Sequence, residues 1–402
     1  MVYNHRNWAA FFEHYQIWFY CVAIVIGLVT GCFSPISGFA NRALQVMLPL
    51  LLLVTFLQVP CAAIVNSFSD KPFIAGLIVG NFLFIPALVF LLLWSGLSWL
   101  DFPDKQLSFS ALTSGHNPYL YFSLFGAILL CAPCVDYVVS FCRMAKGDAT
   151  ALTAMLPVLL IVQLCFLFLW GGMGFGNTES LADERQKIGE FLFTVVSVLV
   201  LPLCVAWLLQ GISRHNKFIS TSTSVMEKSV VPVTALTLMA IATYANSEIF
   251  STFKNCCSAA ENTSLFGLNN RLSGENLPML DNAEPVSCCD KKQLSGAFLY
   301  GGLFYALYAF LAPFIGFLTA KLMRLGRKKA IALSFSVSTR NSLVLLPLLL
   351  SIAPSGGRAL ITGVVLTQTC VELVAEIIYV RLIPRYAQKH FRCQETECEQ
   401  RL

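Results

Sequence analysis

The sequence predicts an all-α integral membrane protein: ten transmembrane helices as two inverted five-helix repeats, with discontinuous helices 4 and 9. Three observations carry that expectation. Of 402 residues, 56% are hydrophobic and 12% charged, about half the charged share of a typical soluble domain. One core could not cover that much apolar surface, so lipid is the expected solvent. Ten apolar runs are long enough to cross a hydrocarbon layer about 30 Å thick. Two of these runs are interrupted near their middles, at corresponding places in the two halves of the chain.

The first run, 16–33, ends in Leu28-Val29-Thr30-Gly31-Cys32, which resembles a lipoprotein cleavage box. Only Arg6 precedes the run, and Glu13 lies close to it, a poor pattern for a signal peptide, so the run reads as span 1. Runs at 43–64, 72–97, 118–142 and 149–171 complete the first half. Those at 190–211, 229–249, 295–318, 329–352 and 359–382 make the second. They lack the alternating pattern of barrel strands and read as helices. The chain thus divides into a repeat at 1–172, an outer loop at 173–189, a second repeat at 190–383 and a basic tail at 384–402. Five spans per half is an odd number, so the second half enters from the opposite face, the arithmetic of an inverted repeat.

Orientation follows from the basic residues. With the N-terminus inside, seventeen of the 27 Lys and Arg fall on inner segments and nine on outer loops, while Arg340 lies within a span. Both termini are therefore expected to be cytoplasmic, in a bacterial inner (plasma) membrane. The net charge of +5 is modest and gives no nucleic-acid signal. The expected surroundings are membrane lipids, and a homodimer is allowed.

Fifteen cysteines show no zinc spacing, and no metal site is expected. Cys21, Cys61, Cys165, Cys204 and Cys370 read as small buried hydrophobes. The insert 251–293 carries Cys256, Cys257, Cys288 and Cys289 on the outer side, where disulfides persist. Two cross-pairings are open, and a thiol cluster for soft metals or metalloids is the alternative. Cys393 and Cys398 face the reducing side and read as free thiols.

Polar and ionisable residues at membrane depth are costly and mark candidate sites. Span 4 reads Cys131-Ala132-Pro133-Cys134-Val135-Asp136-Tyr137 near its middle. Span 9 reads Ser336-Val337-Ser338-Thr339-Arg340-Asn341-Ser342, with Pro347 one to two turns later. A proline frees carbonyls, which a membrane tolerates only where they line a cavity or meet partners. Asp136, Arg340 and Glu372 fall near the midplane, and Arg340 is expected to pair with at least one carboxylate. The surplus acid could hold a cation or proton, or the three charges could be a neutral structural cluster. Asn81, Ser140, Gln368 and Thr369 add oxygens for a hard cation, or simply interhelical hydrogen bonds. Gln58 beside Pro60, and Glu248, are weaker candidates. Cys134 is the thiol beside a charge in the broken helix, either packing or a soft ligand.

At these residues the sequence resembles the bile acid/sodium symporter superfamily, and within it the bacterial arsenic-resistance permeases. The matching stretches are 131–148 (CAPCVDYVVSFCRMAKGD), 339–347 (TRNSLVLLP) and 367–384 (TQTCVELVAEIIYVRLIP), with Gly80-Asn81-Phe82. The insert lies outside the resemblance. It implies a panel of spans 1, 2, 6 and 7 beside a core of 3–5 and 8–10, in which broken spans 4 and 9 cross. It also implies a ligand role for Cys134. The family's span 9 glutamate after paired asparagines is missing, since Arg340-Asn341-Ser342-Leu343 stands there.

Two functions are expected from these readings, neither enzymatic, since no nucleophile–base motif or cofactor loop appears. One is an arsenite or antimonite efflux permease driven by proton exchange. The other is a sodium-coupled symporter of an organic anion, bile-acid-like or a small carboxylate, with Arg340 and half-helix N-termini holding the carboxylate. Na+ or H+ is the expected coupling ion, and no other cofactor is called for. A membrane sensor using the cysteine insert is a third reading, weakened by the lack of an appended signalling domain.

Overall fold

The computed structural model describes residues 5–32, 37–58, 70–99, 118–134, 137–175, 189, 193, 196–213, 216–247, 291–352 and 357–391. Asp136, Glu248, Cys61, the insert cysteines and the tail cysteines lie outside the described residues. Within them the chain is all-helical, with no strand. The helices are α1 (His5–Gly31), α2 (Ser37–Leu57), α3 (Lys71–Val79), a π turn at Gly80–Phe84, and α4 (Ile85–Trp99). Next come α5 (Pro118–Leu130), α6 (Val138–Met144), α7 (Ala149–Phe175) and, after a π turn at Val196–Val200, α8 (Leu201–Ser213). Then follow α9 (Lys217–Lys228), α10 (Val230–Ser247) and α11 (Lys291–Leu322). The last three are α12 (Arg327–Ser338), α13 (Ser342–Ile352) and α14 (Arg358–His390).

Among the described residues five helices are long and apolar enough to cross a membrane: Gly38–Leu57, Lys71–Gly96, Val230–Ser247, Gln293–Leu322 and Leu360–His390. The distribution of polarity agrees with a multi-pass membrane protein. Trp18, Phe90, Trp94, Leu299, Leu303 and Phe310 point outward, while Arg340, Glu372, Glu376, Asn81 and Asn341 are buried. Water would penalise that arrangement; lipid outside requires it. Cys165 and Cys204 are exposed, and Cys21 and Cys370 partly so, which corrects the expectation that all four are buried. A thiol behaves as a small apolar group, so a lipid-facing position suits it as well as a core. Cys131, Cys134 and Cys142 are the buried ones among the described residues.

Close packing is set by small residues. A Cβ on Gly27 would stand 2.5 Å from the Met239 carbonyl oxygen, and one on Gly31 would stand 2.7 Å from that of Thr243. This four-residue spacing of glycines lets α1 lie directly on the backbone of α10, where no hydrophobic drive between helices exists and van der Waals contact must serve. Thr30 and Thr243 hydroxyls bond at 2.9 Å, and Asn246 Nδ2 donates to the Leu28 carbonyl at 2.7 Å. Gly316 plays the same part for α11 and α12, with Ser334 Cα 2.5 Å from where a Cβ would sit.

Helices α2, α8 and α9 pack together, while α11 packs along α12, α14 and α5. Helix α9 is polar on one side and was missed from the sequence, where no apolar run marks it; Asn216 caps it by accepting from the Phe218 N–H at 3.0 Å. At one end of the bundle the Asp148 N–H donates to the Lys328 carbonyl at 3.0 Å, and its carboxylate accepts from the Ala151 N–H at 3.0 Å. That ties the start of α7 to the start of α12. Lys329 pairs with Asp70 beside it.

A crossing of two broken helices

The chain that would continue α5 instead unwinds at 131–134 before α6, and α12 stops at Ser338 before α13 starts at Ser342. The two unwound stretches meet antiparallel, Pro133 opposite Arg340. The Cys134 N–H donates to the Thr339 carbonyl at 3.3 Å, and the Asn341 N–H to the Ala132 carbonyl at 3.0 Å. Both interruptions were legible in the sequence, but the second is not made by its proline: Pro347 falls within α13, past the break.

Breaking two helices frees backbone groups that lipid cannot satisfy, and several of them have identifiable partners. In a continuous helix the Arg340 N–H would donate to the Ser336 carbonyl. Here it donates to Glu372 Oε1 at 2.8 Å, and the arginine's own side chain turns back, Nη2 donating to the Ser336 carbonyl at 3.0 Å. The Val337 carbonyl, deserted by the Asn341 N–H, accepts from the Tyr308 hydroxyl at 2.8 Å. The Leu130 carbonyl, deserted by the Cys134 N–H, accepts from Arg340 Nη1 at 3.3 Å. Arg340 Nη2 also donates to Asn81 Oδ1 at 3.1 Å. Asn81 sits in the π turn after α3 and donates through Nδ2 to the Leu77 carbonyl and Ser336 Oγ, each at 3.0 Å. The π turn, a local widening of the helix common at functional sites, carries this amide to the crossing.

Among the described residues the Arg340 guanidinium meets no carboxylate, and Asp136, one of the two acids expected beside it, lies outside them. The guanidinium donors go to two carbonyls and one amide oxygen among the described residues, and the Tyr308 ring lies 5.8 Å from its central carbon. Glu372 meets the arginine's backbone instead, because its three donors are Arg340 N–H, the Tyr137 hydroxyl at 2.9 Å and Gln368 Nε2. The carboxylate thereby clasps α6, the α12–α13 break and α14 at one point.

Several candidate side chains are closed. Ser338 donates to the Ser334 carbonyl at 2.6 Å, Thr339 to the Phe335 carbonyl at 2.7 Å, and the Ser342 and Thr369 hydroxyls bond at 2.9 Å. Others are open. Asn341 is buried with both amide atoms unpartnered among the described residues, and so are Gln368 Oε1 and Arg340 Nε. Buried polar groups left without partners cost about 1–3 kcal/mol each. Four such atoms lie at this crossing, and each calls for an explanation. Cys134 is buried in the same break. Ser140 lies in α6 and Gln58 bonds the Glu227 carbonyl, both away from this network.

Glu376 was missed. It lies one turn after Glu372 on α14, is 0% exposed, and neither carboxyl oxygen has a partner among the described residues. Its i, i+4 spacing from Glu372 in an apolar run was the signal available. Tyr137 and Tyr308 were missed for a plainer reason: nothing in sequence distinguishes a tyrosine that meets a freed backbone group from one in the core. Among the described residues no group of three His, Cys, Asp or Glu side chains could hold a metal. Compared with known proteins, the chain matches no family model and has no significant sequence match among curated proteins.

Proposed function

We propose that the chain is a secondary transporter of ten spans in two inverted repeats, whose cargo binds at the crossing of broken spans 4 and 9. The observation that carries this reading is the pairing of the two interrupted helices around the buried Asn341 amide and Gln368 Oε1, which have no partners among the described residues. Non-helical backbone at membrane depth is tolerated where it lines a ligand site, and broken helices in matching positions form such sites in repeat-built transporters. The packing of α2, α8 and α9 on one another, with α2 also touching α13, fits a panel beside a moving core.

The cargo that this site suits best is arsenite or antimonite, exported in exchange for protons. At neutral pH arsenite is the uncharged trihydroxide, a small solute that needs hydrogen-bonding amides and a thiol rather than a charged clamp. Asn341, Gln368 and Cys134 supply those groups. A proton carrier is at hand in Glu376: an ionised carboxylate there has no donor among the described residues to offset its desolvation, so the group is suited to taking and losing a proton. The sodium-coupled organic-anion reading is favoured by one observation, the open Asn341 amide at the N-terminus of α13, where a carboxylate is attracted. Its expected clamp is weakened, since three of the four terminal N–H groups of Arg340 go to protein oxygens.

Everted vesicles test this. Proton-driven arsenite uptake that Cys134→Ser abolishes is the expected result. Uptake of a carboxylate that requires Na+ and ignores Cys134→Ser would replace it with the second reading.

A further inference from the structure

Reading the crossing as the transport site leaves a question about its cation. Where two helices break in a membrane, the freed carbonyls at the C-terminal ends of the first halves face one another and carry partial negative charge. In repeat-built transporters such ends, with unwound carbonyls, coordinate the coupling Na+. Here the C-terminal end of α5 offers the Leu130 carbonyl, that of α12 offers the Ser336 carbonyl, and the π turn adds Asn81 Oδ1. These three neutral oxygens form a hard-oxygen set. Arg340 fills it: Nη1 and Nη2 reach the three at 3.3, 3.0 and 3.1 Å.

We infer that the Arg340 guanidinium is a covalently tethered substitute for a coupling cation, so that this crossing works without Na+. Three features of the geometry argue for it. The guanidinium is fully buried among neutral oxygen acceptors rather than in a salt bridge among the described residues, so its charge is stabilised by two helix ends and an amide, as a bound metal ion's would be. Its side chain turns back on its own helix to reach Ser336, an orientation that a backbone hydrogen bond from Arg340 to Ser336 would make redundant. Tyr308 closes one side with its ring toward the guanidinium and its hydroxyl on the Val337 carbonyl. A tethered cation cannot dissociate, which makes the oxygen set a permanent structural charge and leaves coupling to another ion.

Thermal unfolding of the purified full chain in Na+, choline or millimolar guanidinium tests this without any cargo. The wild type should unfold at the same temperature in all three. Arg340→Ser empties the oxygen set, and its lost stability should return by about 5 °C at saturating Na+ or guanidinium but not in choline. Arg340→Lys, which keeps a tethered charge, should stay indifferent to Na+. A wild type stabilised by Na+ overturns the inference, as does Na+ dependence in Arg340→Lys. So does an Arg340→Ser chain that no cation restores, including one that fails to fold in every salt. If the chain carries neither cargo class in flux assays, the transport reading falls while this result still stands or fails on its own.

Discussion

Replacing Glu372 with alanine should unlatch the crossing. The carboxylate accepts from the Arg340 N–H at 2.8 Å and the Tyr137 hydroxyl at 2.9 Å, and both donors are buried where water and lipid offer nothing in return. A buried donor left unsatisfied costs about 1–3 kcal/mol, so the two together predict a loss of about 2–6 kcal/mol. Gln368, the third donor, lies one turn away on the same helix and can turn aside. Glu372→Gln should lose less, about 1–2 kcal/mol, because its amide oxygen still accepts while its amide nitrogen opposes that of Gln368. Reversible unfolding in mixed micelles, with Tyr137→Phe and the double variant, would measure it. Residues sharing one hydrogen bond should show a coupling of about 0.5–3 kcal/mol. A Glu372→Ala protein within about 0.5 kcal/mol of the wild type, or strict additivity with Tyr137→Phe, would refute the latch.

Three other outcomes follow from the same geometry. Asn341→Ala removes an amide that bonds nothing among the described residues, so stability should hold or rise, as two unsatisfied groups costing about 1–3 kcal/mol each are lost, while initial transport rate falls at least roughly tenfold; a loss of both would make Asn341 merely structural. Gly27→Leu drives a side chain into the Met239 carbonyl and the Ala242 methyl and should cost about 1–3 kcal/mol, measured by thermal unfolding, whereas Gly38→Leu meets nothing within 4 Å and should cost far less. Burial pushes the Glu227 carboxyl above its ordinary value, with Lys228 opposing. Its folded state therefore binds a proton more tightly than its unfolded state, so ionisation at neutral pH destabilises the fold. Glu227→Gln should be the more stable protein at neutral pH, with the advantage shrinking as pH falls through the raised value and gone below the unfolded value near 4.5; an advantage unchanged by pH would contradict this.

Membrane character and the two breaks were legible because they rest on composition and on polar residues stranded in apolar runs. Asn81, Arg340, Gln368 and Glu372 were found by that rule, and the structure gathers all four into one network. How they connect was not legible. The sequence suggested Arg340 against a carboxylate, since charge balance is the cheapest rule available, whereas the freed carbonyls at Leu130 and Ser336 belong to backbone that no side-chain pattern displays. Proline is a poor guide to the second break for a related reason. The unwinding at 339–341 is held by inter-segment bonds and by Glu372 taking the Arg340 N–H, not by a missing donor at Pro347. The glycine seam of α1 on α10 is a spacing of four that only gains meaning once its partner is known.

The most direct test of the central claim is flux through purified protein in liposomes, with arsenite inside or outside and a proton gradient imposed, comparing the wild type with Asn341→Ala and Gln368→Ala. Gradient-driven arsenite movement in the wild type, indifferent to Na+, is expected, with its loss in both variants while they remain folded. Full flux in the two variants would contradict a cargo site at the crossing, and absence of flux for arsenite and organic anions alike in the wild type would contradict transport itself.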